Sequence, residues 1–398
     1  MKKVMAIAAI LGFAASVASA QVKNFKYDGL LEIHKYYATN TVDANSKADD
    51  KASDNDYRAN IGFNFDAGQD ANVQVNLIKN AGADNVEFGQ AYVGLKNLLG
   101  LNHKFGLMFY GNPGDMIIYY GPDAWYVSDM GYNALEGWTG NWKKDKLTIS
   151  ALIAKESDTK TNRIDADVYG VTANYAINEY LNPTAYVYQW ADNTGLYGAI
   201  GMDRLNVMGV KANGNYKGLE YAGEYAMNSG DYIHKTLLTK FDYKGNAIRI
   251  NAAYGFDLIG KAKISGEYLT ASGTRTATKD KNFYGIMENY RPGIIFGCTN
   301  NTVGNMTTWN LGANWTPEKL NKLNLDAKFY NFGHTETVAT VDQIGNELNL
   351  VATWKHTENV AFKGYYAMFM VDSKNSTVNF LGNDDNAMQV GLLASVKF

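Results

Sequence analysis

The sequence predicts an all-β protein: one up-and-down antiparallel β-barrel of about eighteen strands that spans a membrane, with about sixteen to twenty strands compatible with the pattern. Three observations predict it. The first twenty residues have the form of an export signal, the stretch Met388 to Phe398 alternates apolar and polar, and between them segments of about ten residues repeat that alternation.

At the N-terminus Lys2 and Lys3 precede an apolar run from Val4 to Val17, and Ala18-Ser19-Ala20 supplies the small residues a signal peptidase needs before Gln21. Residues 1–20 are therefore expected to leave as a signal peptide, and 21–398 to form one barrel domain. Past that point no run of eighteen apolar residues occurs, so a membrane-inserted chain has to close a sheet, because hydrocarbon offers backbone polar groups no other partner. The composition agrees: 28 Tyr, 17 Phe, 7 Trp and 39 Gly against 5 Pro describe aromatic strands joined by short turns. A mean hydropathy of −0.30 is what strands with one wet face produce.

The strands follow in order. Tyr57, Ala59, Ile61, Phe63 and Phe65 make one face of a strand whose other face is Arg58, Asn60, Gly62, Asn64 and Asp66. A tight turn at Ala67 to Asp70 leads into Val73, Val75 and Leu77, set against Asn72, Gln74 and Asn76. The same rule gives strands through Leu147 to Ile153, Tyr169 to Tyr175, Leu219 to Met227 with Glu220 and Glu224 opposite, and Leu237 to Tyr243 with Lys240 and Asp242 opposite. It continues through Ile248 to Tyr254 with Arg249 opposite, Leu323 to Phe329, and Leu348 to Trp354 with Glu347 on the polar side. The last strand sets Met388, Val390, Leu392, Ala394, Val396 and Phe398 against Gln389, Gly391, Ser395 and Lys397. The raw reading gives about nineteen strands, an odd number that single-chain bacterial barrels avoid, so one segment is surplus, and it is sought between Tyr232 and Gly273.

Because an Arg or Lys facing mid-membrane lipid costs roughly 2 to 4 kcal/mol, the charged faces are assigned to a wet lumen. Glu32, Arg58, Asn60, Asn64, Glu220, Glu224, Lys240, Arg249 and Glu347 are the pore-lining candidates. Phe63→Arg should then impair insertion, while Arg58→Glu should leave folding intact and alter selectivity. Short connections at Ala67 to Asp70, Lys143 to Lys146, Pro317 to Lys322 and Lys355 to Asn359 read as periplasmic turns. Longer ones at Asn40 to Asp56, Gly111 to Asn133, Glu156 to Asp165, Ser272 to Asn305, Gly333 to Gly345 and Asp372 to Asn386 read as extracellular loops. The segment Gly111 to Asn133 holds Asp115, Asp123 and Asp129 with no Lys or Arg. It is the candidate constriction loop, its carboxylates expected to face Arg58, Lys240 or Arg249.

Other chemistry is thin. The formal charge of −3 falls to −5 once Lys2 and Lys3 leave, which argues against nucleic acid as a partner. One cysteine, Cys298, allows no internal disulfide. The histidines His34, His103, His234, His334 and His356 show no metal-ligand spacing, and the aspartate-rich Asp43 to Asp56 lacks the spacing of a calcium loop, so neither metal nor cofactor is expected. Ser157-Asp158-Thr159-Lys160 and Ser53-Asp54-Asn55 imitate penicillin-binding motifs in reversed order with no Lys-Thr-Gly after them, and no catalysis is expected.

Two resemblances bear on function. A terminal Phe398 on an alternating strand resembles the signal read by the barrel-assembly machinery of Gram-negative bacteria. Asn282-Phe283-Tyr284-Gly285-Ile286-Met287-Glu288, Ile344-Gly345-Asn346-Glu347-Leu348-Asn349-Leu350 and Phe362-Lys363-Gly364-Tyr365-Tyr366-Ala367-Met368-Phe369 resemble, in order, motifs of the alginate-export family of outer-membrane porins. Gln90 to Leu95, and Tyr120-Gly121 with Leu135-Glu136-Gly137, extend the likeness upstream. The family implies an eighteen-stranded porin with an arginine-rich lumen; here Ala134, Leu135 and Trp138 stand where it places Arg, and the chain holds six Arg in all. The expectation is thus a passive channel in the outer membrane for small hydrophilic solutes or oligosaccharides, since sixteen or more strands leave a water-filled interior. The expected partners are outer-membrane lipid, the assembly machinery and the solute, with the assembly a trimer or a monomer. The alternatives are a plugged structural barrel or adhesin and an outer-membrane hydrolase.

Overall fold

The computed structural model describes residues 22–41, 51–156, 166–192, 203–234, 239–274, 278–300, 302–338, 341–372 and 386–398. The expected signal peptide, the Ser157 to Lys160 motif and most of the Asp43 to Asp56 and Asp372 to Asn386 connections lie outside them. Eighteen antiparallel strands form a closed barrel in which sequence neighbours pair throughout. Closure joins the first strand, Val22–Thr39, to the last, Ala387–Lys397, in a register from Leu30↔Lys397 to Thr39↔Met388. At this seam the Gly29 N–H donates to the Phe398 carbonyl at 2.7 Å and the Phe398 N–H donates to the Gly29 carbonyl at 3.1 Å.

The expected short turns are present. Lys217 and Gly218, both at positive φ, make the two-residue connection between Asp203–Tyr216 and Leu219–His234 that a right-twisted hairpin favours. At the other rim strands outrun the bilayer, which needs only about 9–11 residues. Lys51–Ala67 has 17 residues and Leu323–Val338 has 16, so the end of the expected Asn40 to Asp56 loop, from Lys51, and much of the Gly333 to Gly345 loop are strand.

Outward-facing side chains are apolar and exposed, as the alternation requires: Ile61, Ile153, Val171, Val187, Val210, Ile250, Leu311, Leu350 and Leu392. Tyr57, Tyr169, Tyr268 and Trp309 ring the outer end, and Tyr27, Trp315, Trp354, Phe362 and Phe398 the inner end, the placement of interfacial aromatic girdles.

The surplus strand resolves in register. Thr239–Tyr243 and Asn246–Asp257 both pair antiparallel with Leu219–His234, the first from His234↔Thr239 to Asp231↔Asp242 and the second from Met227↔Asn246 to Leu219↔Tyr254. The Asn228 N–H bond to the Gly245 carbonyl, 2.7 Å, bridges the gap between them. They are two halves of one wall strand. Its apolar residues change sides midway: Ile248 and Ile250 face lipid, whereas Phe241 and Tyr243 are buried inside the rim. Lys240, expected in the lumen, therefore points outward, where its Nζ lies 3.3 Å from Asp231.

Candidate functional site: a lumen narrowed by two loops

The lumen is narrowed by the segment 111–133 and by the described residues of 278–300 and 302–305. The first was read as an extracellular loop and a candidate constriction, with both placements left open; the second was read as an outward loop, and this is a correction. Tyr110–Gly111 pairs with Tyr119–Tyr120 as a small hairpin inside the barrel. The other segment docks along it: the Ile286 N–H donates to the Ile117 carbonyl at 2.7 Å, Tyr119 N–H to Met287 O at 2.8 Å and Asn289 N–H to Asp115 O at 2.9 Å. Met116, Ile117, Ile118, Tyr120, Phe283 and Phe296 are each at most 3% exposed. At about 1.5–3 kcal/mol for a fully buried side chain of this kind, they offset part of the ordering cost of the backbone that carries them.

Wall residues pin both segments. The Arg58 guanidinium donates to Glu32 Oε2 at 2.6 Å and to the Asp123 carbonyl at 3.0 Å. Arg291, within the second segment, meets the Asp123 carboxylate at 3.5 Å. Burial raises the Asp123 carboxyl above its ordinary range, with Arg291 and Arg58 opposing that shift. Arg249 bonds the Gly114 carbonyl at 2.9 Å and Glu267 at 2.7 Å, and Lys211 reaches Asp115 at 3.5 Å. Trp125 packs edge-on against His34 and Tyr365 beneath the Lys363 ammonium. Asp129 is exposed, with its backbone hydrogen-bonded to Asp56.

Of the pore-lining candidates, Glu32, Arg58, Asn60, Asn64, Glu220, Glu224 and Arg249 lie on the lumen face. Asn60 accepts a bond from Asn76 at 2.5 Å, Asn64 donates to Gln74 at 2.8 Å, and Glu220 pairs with Lys263 at 2.5 Å. Glu347 faces inward but lines no open space. It is 0% exposed, its Oε1 accepting the N–H groups of Ile294 at 2.5 Å and Ile295 at 3.0 Å and its Oε2 that of Phe296 at 2.9 Å. It caps the short helix Ile295–Thr299. Phe296 then stacks on Phe332, ring centres 4.0 Å apart, so this side of the lumen is filled.

A vestibule and two deeper cavities lie along the other side. The outer vestibule, of about 800 Å³, is lined by Glu156, Asp203 and Asp280 among Trp190, Tyr232, Tyr243 and Tyr284, and among the described residues no Lys or Arg lines it. Tyr243 donates to Asp203 at 2.9 Å, Tyr232 and Tyr284 donate to Asp280 at 2.9 and 3.1 Å, and the Trp190 indole donates to Glu156 at 3.1 Å. Deeper lie two cavities of about 220 and 240 Å³ that share Asn112, Asp115, Lys211 and Glu224. Sequence reading missed Lys211 and the three vestibule carboxylates. Lys211 shares a strand face with Gly209 and Asn213, a parity signal that could have found it.

The family model described as Gram-negative porin matches residues 6–293. No curated protein matches. Among solved structures, the outer-membrane protein OprD from Pseudomonas aeruginosa superposes with a TM-score of 0.63 at 13% identity, covering 95% of each chain. OpdQ from the same organism gives 0.63 at 12%, over 94% of this chain and 98% of its own. OpdK with vanillate, also from that organism, gives 0.59 at 11% over 94% and 98%. At such identities these likenesses concern the fold.

Proposed function

The chain belongs to the Gram-negative porin family and is an outer-membrane channel for the diffusion of small solutes, and on that premise we propose that it favours cationic and neutral hydrophilic solutes over anionic ones. The vestibule carries the reading: among the described residues three carboxylates and no basic side chain line it, and fixed charge lining a pore sets ion selectivity. Among the described residues, Arg58 and Arg249 are paired with the wall carboxylates Glu32 and Glu267, and Arg291 with Asp123 of the inner loop, rather than offered to an anion. An aromatic carboxylate such as the vanillate found with OpdK would meet the same vestibule unfavourably.

The reading includes removal of residues 1–20, insertion by the barrel-assembly machinery through Phe398, no catalysis, and a monomer or trimer as the assembly. Its finer relation is to the alginate exporters, supported by motifs that carry Glu288 and Glu347, two residues that hold the inner loop. A polyuronate cargo is disfavoured by the acidic entrance. The test is the reversal potential of the refolded mature protein in a planar bilayer under a KCl gradient. A potential of cation-selective sign that shrinks in Asp203→Asn with Asp280→Asn is expected; an anion-selective sign would overturn the reading.

A further inference from the structure

We propose that solutes cross on one side only, along the wall strands from Leu147 to Asp257, and that the contact between Tyr110 and Tyr188 is the gate that separates vestibule from inner chamber. This rests on the channel reading and goes beyond its charge preference to the residues that set the size limit.

The vestibule and both inner cavities touch the same run of wall. On the strand Asn182–Asp192 the lumen-facing residues step from Thr184, Tyr186 and Tyr188, which line an inner cavity, to Trp190, which lines the vestibule. The partition therefore falls at Tyr188. On the loop side it is equally thin, because Ile286 at the vestibule floor bonds Ile117 of the inner cavity through the backbone. Across it the Tyr110 and Tyr188 hydroxyls meet at 3.1 Å with the rings edge to face at 6.3 Å. Tyr188 belongs to the rigid wall, Tyr110 to the hairpin of the inner loop.

The wall is shaped for these rings. A Cβ on Gly170 would stand 2.3 Å from the Tyr188 ring, and one on Gly209 would stand 2.4 Å from the Tyr186 hydroxyl. The Tyr188 ring thus packs on the bare backbone of Gly170 and the hydroxyl end of Tyr186 on that of Gly209, and Tyr186 donates onward to Glu224 at 2.8 Å. One neutral hydroxyl contact closes the partition. A hydrophilic solute can replace that hydrogen bond as it passes, which an apolar one cannot, and exchange of one bond for another costs little.

The experiment is single-channel recording of the full refolded protein in planar bilayers. Tyr188→Ala is expected to raise conductance by about twofold, since removing the ring widens the narrowest section. Tyr110→Phe and Tyr188→Phe, which keep both rings, should raise open probability with conductance nearly unchanged, and they decide the matter if the alanine variant does not fold. In a Cys298→Ser background, a charged thiol reagent should block Thr172→Cys, beside the inner cavity, and spare Thr308→Cys, which is 0% exposed on the filled side. A conducting parent whose currents ignore all three tyrosine changes, or block at Thr308→Cys without block at Thr172→Cys, would overturn the gate. A folded parent that never conducts would instead overturn the channel reading beneath it.

Discussion

Arg58 shows how far the residue scale departs from an alternation rule. Alternation sends it to the inner face, and from there Arg58→Glu looks like a harmless change of pore charge. The side chain is instead a strut, its pair with Glu32 only 7% and 13% exposed and its second bond spent on the inner loop. Reversing the charge would set two carboxylates together in a site that water barely reaches, and breaking a buried pair costs about 3–5 kcal/mol. The lipid-face change Phe63→Arg costs roughly 2–4 kcal/mol. Both variants should therefore lower the urea midpoint for loss of the folded, heat-modifiable band, by comparable amounts. Arg58→Glu folding like the parent would show that the strut carries little.

At the scale of elements the inner loops depend on two carboxylates. Glu347 meets three N–H groups that a Leu side chain cannot satisfy, and Gly293, at φ +83°, is needed because a Cβ there would stand 2.5 Å from that carboxylate. Glu347→Leu and Gly293→Ala should each loosen the segment around Ile295–Thr299, seen as noisier current and new protease cleavage near it; quiet, uncut channels would contradict the capping role. Glu288 accepts the N–H groups of Gly285 and Val303, and burial, outweighing those two donors, raises its carboxyl from 4.5 to about 7. A group that binds its proton more tightly in the packed loop than in the free one supports packing fully below about pH 4.5 and loses that support as pH rises through about 7. Current noise should accordingly grow between pH 5 and pH 8 in the parent and stay level in Glu288→Gln. A parent without pH dependence would rule this out. The anchoring by these two carboxylates was not legible in sequence, because Ile294 to Phe296 is a short apolar run inside a polar connection and carries no period, whereas Gly111 to Asn133 was at least a candidate constriction. The wall strands were legible because every second side chain answers to lipid. Phe241 and Tyr243 mark where that ceases: above the bilayer, apolar side chains turn inward to the loops, and the rule then sends Lys240 to the wrong face.

Across the whole molecule, legibility was greatest where a single constraint acts on the entire chain. An all-antiparallel closed sheet requires an even number of strands, so the odd raw count already said that one segment was miscounted. Closure itself falls on Phe398, whose ring lies over Gly29 so closely that a Cβ on Gly29 would stand 2.3 Å from it, and whose backbone makes two hydrogen bonds to that glycine. The phenyl group thus serves the seam, and the same ring is the proposed signal to the assembly machinery. The two roles separate by experiment. Phe398→Ala keeps both backbone bonds and removes only the ring, so closure in pure lipid vesicles, where no machinery is present, should slow modestly. In cells, loss of the recognised side chain should cut the folded outer-membrane fraction far more. Gly29→Ala, which displaces the ring without removing it, should resemble the parent in cells if the ring is read as a signal before the seam forms. Equal slowing of Phe398→Ala in vesicles and in cells would leave Phe398 as a seam residue alone, because a defect in closure follows the protein into any bilayer whereas a defect in recognition needs the reader.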